Sequence, residues 1–494
     1  MPPNSPHPFR AFKSLVLGWL ILLSFVNAAS ASDVEEYLAK LHSHYEKTRS
    51  ISAFSLKLHF LNRQYRDENY WDFQSPNVHM SQRLVEVDLA KRHFYDNDIL
   101  YFAGGRLFDR VQFQNDTESL FYEKSATSIG RAVLPRGMDN FDRFRGHILL
   151  NVDFLAVRPL LEETDIANSV TLRRGRAPGT TVLGHENAEG GLISYHFRDD
   201  PVQLVSIDHQ PLTGFFVYDN YQTNRGLTYA RTVTKYYGSE TEPTYISFND
   251  DFDVIDGVDP AKLRLPDGYG PMLEPGDGVL ISEQIGKDLY LVTDSAAIAN
   301  VLLKVSGDKI TVFGGAVGIR TAENILSFAR DQFPQKRVRS VYVTHPQGNQ
   351  TAGLKVFADQ GITILADDYT IAALKAGSRF GGDAEDFHFT TTKHGDAFDG
   401  MRFFVLENLH SKRQGFVYFQ DSGIIFQSHF LHVPRDNTIA KVVPSYSRAF
   451  IDFIRAQNLT IKRIVGNYRN NNITPAIVDK TYEASVSAKS RFSQ

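Results

Sequence analysis

The stretch Tyr342-Val343-Thr344-His345-Pro346-Gln347-Gly348-Asn349-Gln350-Thr351-Ala352-Gly353-Leu354 decides how the second half of this chain is read. Val338, Val341 and Val343 make an apolar strand over 338–344 that stops at His345. A polar turn then leads into a short helix over 352–360, a strand over 362–366 and a helix over 369–376.

The same rhythm extends outward on both sides. Upstream, the runs 279–285, 289–293, 300–305 and 309–313 are short strands separated by Gly or Asp. Thr321 then caps a helix through Gln332 with Ile325, Phe328 and Ala329 on one face. Downstream, strands are predicted over 401–406, 415–419, 423–427 and 462–465, with a helix over 446–458.

Over residues 278 to about 469 this order resembles the metallo-β-lactamase superfamily. The quoted stretch sits where active members carry T-H-x-H-x-D-H-x-x-G-L. Asn408-Leu409-His410 precedes a strand as in the family. Ile424-Ile425-Phe426-Gln427-Ser428-His429 is similar to its strand-then-aspartate segment, and Val465-Gly466-Asn467-Tyr468 to its final glycine-histidine loop. The resemblance implies an αββα sandwich with metal ligands at one end. Carried over residue by residue, it keeps His345 and His410 as ligands. Gln347, Asn349 and Gln350 stand where the family has histidine, aspartate and histidine, His429 replaces the bridging aspartate, and Tyr468 replaces the last histidine.

The replacements have a chemical consequence. Two adjacent metal ions need carboxylate and imidazole donors to hold them and to acidify a bridging water. Neutral amide carbonyls are weak ligands for zinc. A binuclear centre is therefore not expected. His345, His410 and His429 remain as one candidate site for at most one zinc ion, with His432 as a spare ligand. The alternative is that these histidines are hydrogen-bonded leftovers. His388 and His394 are expected on a surface loop, and His42 and His44 on a solvated helix face. Gly314, Gly315 and Gly318 follow a strand without a phosphate-binding fingerprint, and no G-x-S-x-G elbow is present.

The first half reads differently. Residues 34–48 form an amphipathic helix, with Val34, Leu38, Leu41 and Tyr45 at helical spacing. The period then changes to two, as in Phe54-Ser55-Leu56-Lys57-Leu58-His59-Phe60. Further strands over 84–89, 99–103, 107–113, 193–196, 203–207, 214–218, 227–237 and 244–248 indicate an antiparallel sheet with helix cover. Its closing segments, through Phe252-Asp253-Val254-Ile255 and Pro260-Ala261-Lys262-Leu263, make it look like periplasmic lipoprotein-carrier domains. That resemblance implies a lipid-like ligand; a covering domain with a filled core is the alternative. Residues 266–278 are dense in Pro and Gly and mark a linker.

Arg10 and Lys13 before an apolar run over 15–26, followed by Ala29-Ser30-Ala31, read as a signal peptide, with an uncleaved anchor as the alternative. The absence of cysteine excludes disulfides and lipidation at a mature N-terminal cysteine. A net charge of −4 without a basic stripe argues against nucleic acid. The expectation is an α+β protein: a signal peptide over 1–31, an antiparallel β-sheet domain over 32–275 and a metallo-β-lactamase-like αββα domain over 276–494. Export to the periplasm, no transmembrane segment in the mature chain and a binding or accessory pseudo-hydrolase role go with it. A mononuclear hydrolase acting on a small ester, lactone, amide or lipid-like substrate is the alternative.

Overall fold

The computed structural model describes residues 31–63, 71–75, 78–162, 166–186, 190–209, 214–237, 242–294 and 299–490. The expected signal peptide lies outside them except for Ala31, the first residue of the helix Ala31–Arg49. None of the described helices is long and apolar enough to cross a membrane.

Alternation of apolar residues builds the first half. Phe54, Leu56, Leu58 and Phe60 fall on one face of the strand Ala53–Arg63 and are all buried. That strand is central to a thirteen-stranded sheet, pairing with Val78–Asp88 on one side and Tyr245–Val254 on the other. Every neighbouring pair in the sheet is antiparallel. The apolar stripe Val34, Leu38, Leu41 and Tyr45 buries the helix Ala31–Arg49 against it. The helical cover is larger than periodicity indicated. Asn140–Ile148 and three one-turn helices from Asp153 to Ser169 bring Phe141, Phe144, Ile148 and Phe154 into the same core. One-turn helices are too short to display a 3.6-residue period, so the sequence carried no sign of them.

Strands of the second half enter two other sheets. The first has seven strands. Ile281–Gly286, Leu289–Thr293, Val301–Ser306 and Lys309–Phe313 form a meander, and Arg337–Tyr342, Thr363–Ala366 and Phe389–Thr391 continue it in parallel. The second has five, in the order Ala397–Phe398, Met401–Leu406, Gln414–Phe419, Ile424–Gln427 and Arg463–Gly466. Three apolar layers hold them together. Ile325 and Ala329 of the helix Ile319–Gln332 pack on Val312 and Val341 of the first sheet. Phe313, Tyr342, Phe403 and Phe426 fill the space between the sheets. Phe450 and Ile454 of the helix Ser445–Ala456 cover Phe416 and Ile464 on the outer face of the second. Between the sheets, Phe313 meets Tyr342, Phe419 and Phe426 at centroid distances of 5.6, 5.2 and 5.9 Å. Each such aromatic pair contributes about 1 kcal/mol beyond burial alone.

Differences from the sequence reading concern both boundaries and missed elements: the strands Ser119–Glu123, Leu134–Arg136, Val170–Arg174 and Thr180–Glu186 were not anticipated. Helical turns begin at Gly348, inside the stretch read as a polar turn, and comprise Gly348–Thr351 and Leu354–Ala358. A terminal helix Pro475–Ser490 was not anticipated; it packs on Ser445–Ala456 through Val478.

The halves meet at several places, among them Arg131 N donating to Asp436 Oδ2 (2.8 Å) and Lys441 N to the Ser125 carbonyl (3.1 Å). Asp72 accepts hydrogen bonds from Tyr369 Oη (2.9 Å) and Lys412 Nζ (2.7 Å), while Trp71 Nε1 donates to the Asn408 carbonyl (2.7 Å). Gly104 lies so close to Tyr446 that an added Cβ would stand 2.6 Å from its ring. With φ of +74°, Gly104 is also in the left-handed region that glycine alone enters freely.

Candidate metal centre

Three loops deliver the histidines to one point. His345 follows the strand Arg337–Tyr342 and is fully buried, with Nδ1 2.8 Å from Thr344 Oγ1. If Nδ1 carries the proton and donates to that hydroxyl, Nε2 presents its lone pair to the cluster.

His410 lies in the turn between Met401–Leu406 and Gln414–Phe419. Asn408 Oδ1 shapes the turn by accepting from the backbone N–H groups of His410 (2.7 Å) and Ser411 (3.2 Å). His410 Nε2 is buried and has no hydrogen-bond partner.

His429 follows the strand Ile424–Gln427 with φ of +63°, a conformation few non-glycine residues adopt. The buried Gln427 side chain clamps this bend: its Oε1 accepts from the N–H groups of Phe430 (2.8 Å) and Leu431 (3.2 Å).

One ring nitrogen from each histidine lies within 4.8 Å of the others, and His345 Nε2 is 3.4 Å from His429 Nδ1. Tetrahedral zinc with bonds of about 2.0–2.1 Å separates its ligand nitrogens by about 3.3 Å. The His345–His429 pair already has that spacing, and the His410 ring lies with its centroid 5.2 and 4.9 Å from theirs. Burial, with Arg106 nearby, lowers the His345 pKa to about 4, and the adjacent Gln347 side chain acts in the opposite direction. Burial first, and then Arg106 and neighbouring imidazoles, hold His410 and His429 well below the ordinary histidine range. Neutral imidazoles are the form that binds a metal. The donor set therefore fits one divalent transition metal.

Gln347, Asn349, Gln350 and Tyr468 set neutral groups around the cluster. Gln347 Nε2 donates to the His410 carbonyl (3.4 Å) while its Oε1 stays unpartnered. Tyr468 Oη donates to the Asn349 carbonyl, and its ring stacks on His429 at 5.4 Å. Gln350 is buried with Nε2 unpartnered. His432, the spare ligand, stands outside the triad: its Nε2 pairs with Tyr446 Oη at 2.9 Å. His42 pairs with Arg49, and His394 Nδ1 lies 2.9 Å from the Val405 carbonyl oxygen.

Two residues escaped the sequence reading. Tyr446 packs on His410 at 5.5 Å, and Arg106 reaches the cluster from the N-terminal half. Gly314 serves packing: a Cβ there would stand 2.3 Å from Asn467 Nδ2, and that amide donates to the carbonyls of Asn300 (3.1 Å) and Gly314 (3.3 Å).

No protein-family model matches the chain. No curated protein matches it either. Among solved structures it is similar to the metallo-β-lactamase FIM-1 from Pseudomonas aeruginosa in its mono-zinc form, at 13% identity and a TM-score of 0.35, over 42% of this chain and 96% of that one. A metallo-β-lactamase from Hirschia baltica matches at 14% identity and a TM-score of 0.33, over 42% and 97%. One from Erythrobacter litoralis matches at 16% and 0.34, over 42% and 96%. The chain is thus a mixed helix-and-sheet protein with distant metallo-β-lactamase structural neighbours and a histidine triad able to hold a metal.

Proposed function

We propose that this is an exported protein whose second half is a metallo-β-lactamase-type αββα domain with a degraded centre. In this reading His345, His410 and His429 hold a single zinc ion, and the protein binds a small molecule instead of running the two-metal reaction. The observation that carries the proposal is the convergence of three neutral imidazoles within 4.8 Å, one with an unpartnered buried nitrogen. Leaving such a nitrogen unsatisfied costs about 1–3 kcal/mol, which a bound metal would offset. The neutral groups Asn349, Gln350 and Tyr468 leave a second cation without a carboxylate.

A second reading, a mononuclear hydrolase, is favoured by one observation: His429 borders an open cavity through which a substrate would reach the centre. Three imidazoles and a water are a workable catalytic arrangement.

Metal analysis of protein purified without chelators tests the shared part; less than about 0.1 equivalent after zinc reconstitution would refute both readings. Turnover of a panel of esters, lactones and amides that depends on zinc and disappears in His410→Ala would select the hydrolase.

A further inference from the structure

A cavity of about 390 Å³ lies between the N-terminal sheet and the histidine cluster, bordered by His429 and Tyr468 at one end. Three guanidinium groups also border it: Arg106 just before the strand Leu107–Gln114, Arg110 within it, and Arg469 just after the strand Arg463–Gly466. Among the described residues no aspartate or glutamate borders this cavity.

Arg106 is the most telling of the three. It is 6% exposed, the neutral Tyr446 hydroxyl hydrogen-bonds it, its Nε has no hydrogen-bond partner, and no carboxylate pairs with it among the described residues. Phe102 and Phe108 flank its guanidinium at 4.3 and 5.3 Å, which fixes the plane of the group and dries its surroundings. Arg110 adds a second positive charge nearby, and its Nε is likewise buried without a hydrogen bond. Glu123 stands 3.9 Å from Arg110 and also acts on Arg469, so its one negative charge is shared between two guanidinium groups and leaves Arg106 uncompensated. Like charges drawn together out of water are unfavourable unless a counter-charge joins them. A guanidinium stays protonated at any pH a protein survives, so the counter-charge that Arg106 lacks is open to a ligand.

We propose that this cavity binds a small ligand through an oxyanion, carboxylate or phosphate, held by Arg106 and Arg469 across the junction of the two halves. The planar fork of arginine matches both oxyanions in a two-point contact. The volume suits a small molecule whose remainder lies against His429 and Tyr468. What that remainder meets rests on the one-metal reading; the oxyanion contact does not.

The test uses the full chain stripped of metal by a chelator, titrated calorimetrically with inorganic phosphate and separately with acetate at low ionic strength. One-to-one saturable binding of at least one anion is expected, weakened tenfold or more in Arg106→Met and in Arg469→Met. The preferred anion identifies the ligand's charged group. Absence of saturable binding of either anion, or undiminished binding in both folded variants, would overturn the proposal. Should Arg106→Met fail to fold, the less buried Arg469→Met decides alone. A parallel zinc titration of the unmodified chain keeps the readings apart. Anion binding without zinc uptake refutes only the metal centre, and zinc uptake without anion binding refutes only the oxyanion site.

Discussion

His429 Nδ1 lies 3.4 Å from His345 Nε2 although 84 residues separate them in the chain. The approach depends on the left-handed backbone of His429, which swings the imidazole back over the end of the strand Ile424–Gln427. Strained conformations of this kind persist where surrounding contacts over-determine them, here the Gln427 clamp.

Metal stoichiometry follows from the triad. Reconstituted protein should take up one zinc ion per chain, and His410→Ala should lower affinity by about 100-fold or more, because two imidazoles cannot complete a closed site. Equilibrium dialysis against a competing chelator measures this; unchanged affinity in the variant would remove His410 from the site.

Restoring the missing donors should restore the second position. The combined variant Gln347→His, Asn349→Asp, Gln350→His, His429→Asp and Tyr468→His should bind close to two zinc ions. Stoichiometry remaining at one in a folded variant would mean that the loops no longer hold the geometry a second ion needs.

Acid should destabilise the metal-free protein through the buried histidines. His345 is depressed to about 4 from an ordinary 6.5, so between those values the unfolded chain accepts a proton that the folded chain refuses. Stability is therefore full above pH 6.5 and falls as pH drops towards 4, by roughly 3 kcal/mol at the limit for this one group. Asp98 and Asp153, raised to about 6 and about 7 by burial, act in the opposite direction over part of this window. Subtracting the denaturation profile of His345→Gln isolates the histidine contribution. Parallel profiles for the two proteins would contradict it.

Gly104→Ala should loosen the junction of the halves. The left-handed backbone alone costs an alanine about 1 kcal/mol, and the contact with Tyr446 adds to it. We expect a lower midpoint in thermal unfolding and weaker anion binding in the adjoining cavity. A midpoint equal to that of the unmodified chain would show that the Tyr446 ring moves aside freely.

Export is checked directly on cells. The basic start, apolar run and small-residue site predict a mature chain beginning near Ser32 or Asp33 in the periplasmic fraction. N-terminal sequencing of that material that still read Met1 would refute cleavage.

Much of the candidate site could be read from the chain because its parts are local. His345 at a strand end, His410 before a strand and His429 after one are each set by a turn of a few residues, and turn chemistry is written in sequence. The alternating strands around Phe54 and the helix stripe from Val34 to Tyr45 were equally legible, since burial on one face imposes its period directly. The one-turn helices between Asp153 and Ser169 left no such mark.

The sequence by itself determined the donor types: three imidazoles, with the amides Gln347, Asn349 and Gln350 and the phenol Tyr468 on the same loops. Only the tertiary structure decided what faces them. Arg106 lies in a turn of the other half, just before the strand Leu107–Gln114, and its place near His410 goes with Gly104 seating against Tyr446 and Asp72 holding Lys412. Contacts between segments hundreds of residues apart have no period and no local signature; they exist only once two independently patterned surfaces have docked.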